Sequence, residues 1–315
     1  MTEIETYRVK AGQILEEVGK TVVGKEDVVR KVLMAILAKG HILMEDIPGV
    51  GKTTMALTFA RVLGIQCNRM QFTPDVMPSD VVGFNMYNRV TNKFEYKEGG
   101  VACNLFLADE INRTSPKTQS ALLQVMEEGS VTVDGVERVL PDPFMVIATQ
   151  NPYGSIGTQK LPESQLDRFM ISLNMGYPSV QEEIAILKGK ESSERIKSSE
   201  IVTIEELITM RQCVAKTYVN DAIYEYVANI ARESREMASV VQGLSPRGSV
   251  AVISMAKAAA FMRGHDYVLP QDVQNVLHDT AVHRIILRHG INSGNLTKAD
   301  VIDNIIKSVK VPQVK

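Results

Sequence analysis

The chain has 315 residues, 44% of them hydrophobic, with 35 Lys and Arg against 37 Asp and Glu. That suits one large or two modest globular domains, and a formal charge of −2 gives no overall drive toward nucleic acid or an anionic membrane. Cys67, Cys103 and Cys213 are too scattered for a disulfide framework or a zinc site, the N-terminus is charged from Glu3 onward, and the greasiest run, Val250 to Met262, is interrupted by Lys257, so a cytoplasmic chain without membrane insertion is expected.

Ile4, Tyr7, Ala11, Ile14, Leu15 and Val18 recur at helical spacing and predict a lead-in helix ending near Gly19. A second helix is expected from Glu26 to Ala38. It delivers the chain to His41-Ile42-Leu43-Met44, a buried strand. Glu45 to Thr53 then reads EDIPGVGKT, and Thr54 to Leu63 reads as a helix closed by Gly64. Glycines in such a strand–loop–helix setting let successive N–H groups point at one anion, with Lys52 reaching β- and γ-phosphates and the Thr53 hydroxyl ligating Mg²⁺. The general pattern asks for glycine at position 46, where this chain has Asp46.

A second strand is expected from Ile65 to Phe72, carrying Arg69 and Gln71. Asp75 to Gly100 has the texture of an insertion, with Phe84, Met86, Val90, Phe94 and Tyr96 on a hairpin turning at Thr91-Asn92. It reads equally as a solvent-facing loop or as a contact device for a substrate or neighbouring subunit. Leu105 to Ala108 is an apolar strand ending in Asp109-Glu110. Beside a phosphate loop, one carboxylate at a strand end can organise Mg²⁺ through water and the next can orient and deprotonate an attacking water. Ser115 and Pro116 predict the start of a helix that ends at Gly129, and Ser130 to Leu140 a hairpin around Asp134-Gly135. Phe144 to Thr149 is a further buried strand running into Gln150-Asn151-Pro152. Asn151 there can hydrogen-bond both water and a γ-phosphate without adding charge. A loop over Gly154 to Gly157 and a short helix from Leu161 to Phe169 precede a last strand, Met170 to Asn174. Arg168 either pairs locally with Asp167 or Glu163, or points across a subunit boundary at a neighbour's nucleotide.

After Tyr177-Pro178-Ser179 strand-like runs stop, and this sets the domain boundary. Gln181 to Lys190 is one helix, Glu191 to Ser199 a linker, Thr203 to Glu206 a capping box, and Asn220 a further cap. Ser245-Pro246-Arg247 opens a regular helix that Gly264 closes. A cation at a helix start opposes the dipole, so Arg247 reads as a nucleotide-phosphate ligand or as half of a surface ion pair. Helices over Pro270 to His289 and Thr297 to Val309 complete a bundle. His278, His283 and His289 do not share a helix face as metal ligands would.

The ordered set EDIPGVGKT, FTPDVMPSD (Phe72 to Asp80), LADEINR (Leu107 to Arg113), PKTQSALLQVMEE (Pro116 to Glu128), ATQNP (Ala148 to Pro152), LPESQLDRF (Leu161 to Phe169) and SPRGSV (Ser245 to Val250) resembles the MoxR ATPases of the AAA+ superfamily from Val22 to about Val309. The resemblance implies an α/β fold: a P-loop three-layer αβα core with a parallel sheet, followed by an all-α helical lid. Its divisions would be a lead-in helix (1–20), the nucleotide domain (21–178, with a helix-2 insert near 75–100 and a hairpin near 130–140) and the lid (179–315). It implies ATP and Mg²⁺ as cofactors, with Pro48, Gly49, Val50, Gly51, Lys52, Thr53 and Thr54 forming the phosphate loop. Val23 and Gly24 would line the adenine. Thr53 and Asp109 would serve the metal, Glu110 the water, Asn151 would be the sensor, Arg168 the arginine finger and Arg247 the second sensor. It further implies a homo-oligomeric, usually hexameric ring acting on a client protein complex. A partner with a von Willebrand factor A domain would reach the client, and the work would be maturation or metal-cofactor insertion. Two competing readings remain: a nucleic-acid motor, disfavoured because Arg89, Lys93, Lys97 and Arg138 are interleaved with Glu95, Glu98, Asp134 and Glu137, and a nucleotide-gated scaffold with little turnover.

Overall fold

The computed structural model describes residues 3–47, 49–151, 161–191, 198–288 and 296–313. Helix α1 (Glu3–Thr21) buries Ala11, Ile14 and Val18, and α2 (Glu26–Leu37) follows a left-handed Gly24, φ 73°. Strand β1 (Ile42–Glu45) leads through the glycine-rich loop into α3 (Lys52–Val62). Next come β2 (Cys67–Gln71), a short α4 (Pro78–Val82) and an antiparallel hairpin of β3 (Phe84–Asn88) and β4 (Lys93–Lys97). Strand β5 (Leu105–Asp109), α5 (Pro116–Glu128), a second hairpin of β6 (Ser130–Val133) and β7 (Val136–Val139), then β8 (Met145–Gln150), α6 (Glu163–Leu166) and β9 (Ile171–Leu173) follow. The remainder holds α7 (Val180–Glu191), α8 (Ile204–Lys216), α9 (Asp221–Glu236), β10 (Val240–Gln242), α10 (Pro246–Met262), α11 (Pro270–Ala281), β11 (Ile286–Leu287) and α12 (Lys298–Ser308).

Five strands form one sheet in the order β2-β5-β8-β1-β9, every pair parallel. Successive side chains on a strand face opposite ways. Ile42, Met44, Leu105, Leu107, Met145 and Ile147 therefore enter one buried cluster, while Leu43, Phe106, Ala108, Val146 and Ala148 enter another. Burial on both faces explains why these strands read as continuous apolar runs rather than alternating ones, and it gives the three-layer αβα core. The first cluster continues through Leu207, Tyr226, Val252, Phe261 and Ile302, so the helical lid shares a core with the sheet.

Local chemistry sets the element ends. Ser115, Asn220, Ser245 and Thr297 each accept a main-chain N–H at a helix start, and Thr203 with Glu206 forms the expected capping box. Gly129 closes α5 in the left-handed region. At Asp134-Gly135, φ values of 51° and 77° make the two-residue turn that joins β6 to β7. The two hairpins lean on each other: Asn85 Nδ2 donates to Asp134 Oδ2 at 2.7 Å, and the Arg138 guanidinium sits 4.0 Å from the Tyr96 ring centre.

The structure corrects several expectations. Strands do not stop at the domain boundary, because β10 pairs antiparallel with β11 inside the lid. The helix expected to reach His289 ends at Ala281, where the chain turns to bury His283 and Arg284 against the end of α6 and the start of β9. Only Glu163–Leu166 of the expected 161–169 helix is helical, and a short α4 precedes the hairpin within the stretch read as an insertion. The loop at Gly154 to Gly157, residues 192–197 of the expected linker, Pro152 and His289 lie outside the described residues.

Candidate nucleotide site

Gly49 and Gly51 adopt φ of 90° and 98°, conformations that glycine reaches at no steric cost, and these angles turn β1 sharply into α3. A Cβ on Gly49 would meet nothing within 4 Å, and one on Gly51 only Met175 Cε at 3.9 Å. Neither glycine is crowded by its surroundings. Lys52 opens α3, and its ammonium donates to the main-chain oxygens of Asp46 at 2.7 Å and Ile47 at 3.1 Å. Burial pushes this lysine below its ordinary value, partly offset by Asp46, Asp109 and Glu110. A half-buried cation at the start of a helix, behind a glycine-bearing loop, suits a polyphosphate. Pro48 lies outside the described residues.

Asp46, the departure from the general pattern, has a structural explanation. Its side chain is buried and accepts from the N–H groups of Met175 at 2.5 Å, Gly176 at 3.0 Å and Ile47 at 3.1 Å. A glycine there would leave those donors without this acceptor. Asp46 ties the phosphate loop to the chain leaving β9.

The ends of β5 and β8 lie beside this loop, as the parallel register requires. Asp109 is buried, and its Oδ2 accepts from Thr53 Oγ1 at 3.3 Å and from Arg69 Nε and Nη2 at 2.8 and 2.7 Å. Its Oδ1 accepts from Thr149 Oγ1 at 2.9 Å, and that hydroxyl also receives the Glu110 N–H at 2.9 Å. Hydroxyl and carboxylate oxygens at this spacing are the hard donors that Mg²⁺ takes, directly or through water. Glu110 holds φ 56°, a left-handed conformation costing a non-glycine residue roughly 1–2 kcal/mol. It places the carboxylate at the start of a short 3-10 turn, where Arg113 Nη1 reaches it at 2.8 Å. Asn151 follows β8 at the same end, and its main-chain oxygen accepts from Asn112 Nδ2 at 3.3 Å. Val50 packs on the core, and Thr54 is exposed in the first turn of α3. Gly24 lies against the side chain of Glu182 at the start of α7, next to Val23.

Lys52, Thr53, Asp109, Glu110 and Asn151 thus meet at the carboxyl end of the sheet. Arg168 and Arg247 do not join them. Met170, just after Arg168, donates its N–H to His41 O below β1, and His41 Nε2 bonds Met126 O near the end of α5. Between that edge and the phosphate loop lies β1, four residues at ~3.3 Å each, roughly 13 Å. Arg168 pairs with neither Asp167 nor Glu163. It donates through Nη1 to Leu123 O at 2.6 Å and through Nη2 to Glu127 Oε2 at 3.1 Å. Arg247 takes the other oxygen of the same carboxylate. Asp167 is engaged instead by Arg284 Nε at 2.6 Å and by the Ser245 hydroxyl at 2.9 Å, which fixes the start of α10 next to Arg168.

Sequence reasoning missed Asp46 as an anchor, Arg69 and Thr149 as partners of Asp109, and Glu127 as the shared partner of two arginines. The one visible signal was a cation, Arg69, on a strand of the sheet. Glu127 gave none, since it sits among charged residues at a helix end.

A family model described as ATPase family associated with various cellular activities (AAA) matches residues 41–171, and an AAA lid domain model matches residues 232–305. The chain is 46% identical to the protein YeaC of Bacillus subtilis, over 96% of this chain and 94% of that one. It is 38% identical to Chaperone MoxR1 of Mycobacterium tuberculosis, over 95% and 81% of the two chains. The crystal structure of a candidate ATPase from Cytophaga hutchinsonii superposes with a TM-score of 0.92 at 34% identity, covering 98% of this chain and 97% of the other.

Proposed function

Because the chain belongs to the MoxR family of AAA+ ATPases, we propose that it hydrolyses Mg-ATP at sites shared between neighbouring copies in a ring, hexameric by family analogy, and uses the cycle to remodel protein complexes as a chaperone-like factor. The observation that carries this reading is the placement of Arg168 and Arg247 on the sheet edge opposite Lys52, out of reach of their own phosphate loop. In a head-to-tail arrangement the arginine edge of one copy meets the loop of the next.

Within that site each residue has a task. The loop N–H groups and Lys52 cradle the phosphates, and Thr53 with Asp109 offers the oxygens that would hold Mg²⁺. When bound there, the metal would supply positive charge to offset the charge developing on the phosphate oxygens. Glu110 aligns the attacking water and takes its proton, and Asn151 keeps that water in line with the γ-phosphate. Thr149, two residues before Asn151, ties the end of β8 to that of β5 by donating to Asp109 Oδ1 and accepting the Glu110 N–H. Arg168 and Arg247 of the neighbouring copy leave Glu127 and offset the charge of the transition state. Val23 and Gly24 line the base.

The paired hairpins fit a contact device for a client, because Phe84, Met86, Val90, Phe94, Val136 and Val139 are exposed on them among charged residues such as Arg89, Lys93 and Glu137. A partner with a von Willebrand factor A domain, and metal-cofactor insertion as the work done, rest on family resemblance. No helix among the described residues is long and apolar enough to cross a membrane. The test of the shared site is turnover per chain as a function of chain concentration. It should rise steeply as copies associate, and a value independent of concentration down to the monomer would refute sharing.

A further inference from the structure

An apolar groove of about 580 Å³ lies where the end of α2 meets α8, α9 and α10. Val227, Val250 and Ile253 form part of its floor, and Val250 is 65% exposed. Lys39, Arg211, Arg235 and Lys257 line it as well, and none of the described residues lining it is acidic. Three of these cations donate to carbonyl oxygens: Arg211 to Ile36 O at 2.9 Å, Arg235 to Leu244 O at 2.8 Å and Lys257 to Ala215 O at 2.8 Å. The carboxylate paired with Arg211, Asp142, stands 4.0 Å away. Arg211 is buried, so the groove presents apolar surface with Lys39, Arg235 and Lys257 as its accessible cations, and Pro246 on its wall adjoins Arg247.

Helix α7 has the opposite character. Val180, Ile184, Ile186 and Leu187 are all exposed, at 74%, 45%, 39% and 59%. Val180, Ile184 and Leu187 follow one another at spacings of four and three, so they share a stripe. Glu182 and Glu183 stand in its first turn, with Lys188 further along. The helix starts at the carboxyl end of the sheet, where Glu182 lies against Gly24 and Lys25 Nζ donates to Tyr177 O at 3.1 Å. One end of the molecule therefore carries a helix with an exposed apolar stripe and acidic residues beside the nucleotide site, and the other an apolar groove with basic residues beside Arg247.

We propose that α7 of one copy seats in the α2/α8/α9/α10 groove of the next. Its apolar stripe covers Val250 and Ile253, and Glu183, which flanks that stripe, faces the groove cations. The contact is heterologous, so it repeats from copy to copy, and it brings Arg168 and Arg247 toward the neighbour's phosphate loop. The inference rests on the ring reading above and specifies which surfaces meet.

The experiment uses the full chain with Ile184→Arg and Val250→Arg, two exposed positions on opposite surfaces, followed by sedimentation with ATP and Mg²⁺ and by circular dichroism. Each variant alone should be a folded monomer. Mixed in equal amounts they should form a two-chain species and nothing larger, because Ile184→Arg keeps a working groove and Val250→Arg a working α7. A second pair, Glu183→Lys and Lys257→Glu, should each weaken assembly roughly tenfold and together restore it. Wild-type rings in either single arginine variant would overturn the α7 contact while leaving the ring reading intact, and would make the groove a site for another protein. A wild-type chain that stays monomeric with nucleotide at high concentration would overturn both.

Discussion

The hydroxyl of Thr53, in the first turn of α3, donates to Oδ2 of Asp109 at the end of β5 over 3.3 Å. Two elements 56 residues apart thereby place two hard oxygens at one point. Asp109→Asn keeps the shape but removes the charge and leaves Arg69 without its anionic partner. The Mg²⁺ concentration for half-maximal turnover should rise roughly 10- to 100-fold, the range for loss of a supporting metal contact. Nucleotide binding with the metal chelated should change little. An unaltered Mg²⁺ requirement would show that Asp109 does not serve the metal.

Glu110→Gln preserves size and removes the carboxylate proposed to take the proton of the attacking water. Turnover should fall roughly 10²- to 10⁴-fold, with nucleotide still retained on the protein. Equal activity in the variant and wild type would remove Glu110 from the chemistry and favour a nucleotide-gated scaffold.

Arg168→Ala should bind nucleotide normally and lose roughly 10³- to 10⁵-fold in turnover, the range for an arginine finger. Mixed with Lys52→Ala, it should regain part of that activity. In such mixed rings some boundaries pair an intact loop with an intact arginine. Mixed rings that form and remain inactive would count against action between copies.

The lid is tied to the sheet by Arg284, which is buried and donates to Asp167 Oδ1 at 2.6 Å, Phe169 O at 2.6 Å and Met170 O at 3.0 Å. Asp167→Ala leaves that guanidinium without its carboxylate. Removing one partner of a buried pair costs about 3–5 kcal/mol, so the urea midpoint should drop clearly. A midpoint within error of wild type would show that the carbonyl oxygens alone satisfy Arg284.

Two enclosed histidines make stability depend on pH. His41 receives the Val146 N–H on Nδ1 at 3.0 Å and bonds Met126 O through Nε2 at 2.9 Å, so a proton on Nδ1 would break the first bond. Burial pushes His41 down to about 4, and pushes His283, the more completely enclosed of the two, well below 6.5. Both are neutral in the folded chain. As pH falls below 6.5 the unfolded chain takes up protons that the folded chain does not, so stability is full above 6.5 and drains between 6.5 and about 4. The slope is about 1.4 kcal/mol per pH unit for each histidine. Denaturant midpoints at pH 7.5 and 5.0 would measure it. His41→Gln should flatten the dependence, and an unchanged slope would mean that the ring is protonated as freely folded as unfolded.

Much of the fold was legible because its signals are local. Ser115, Thr203, Asn220 and Ser245 cap helices through bonds spanning two or three residues, and Asp134-Gly135 turns a hairpin by its own backbone preference. What misled was equally local. The periodicity past Ala281 gave no warning that His283 and Arg284 would be drawn toward residues more than a hundred positions earlier, and β10 and β11 are two or three residues long, too short for alternation to register.

The sequence by itself determined that three apolar strands end in a lysine-bearing glycine loop, an acidic pair and an asparagine, since these are matters of order and residue type. Tertiary structure decided where those ends go. The parallel order β5-β8-β1 gathers them at one edge and sends Arg168 and Arg247 to the other, onto a single carboxylate of Glu127. It also gave Asp46 its reason, because the N–H groups it accepts belong to Met175 and Gly176, well over a hundred residues away. Spacing along a chain says which groups are available, but strand order in a parallel sheet says which end each occupies, and reach between charged groups depends on the second.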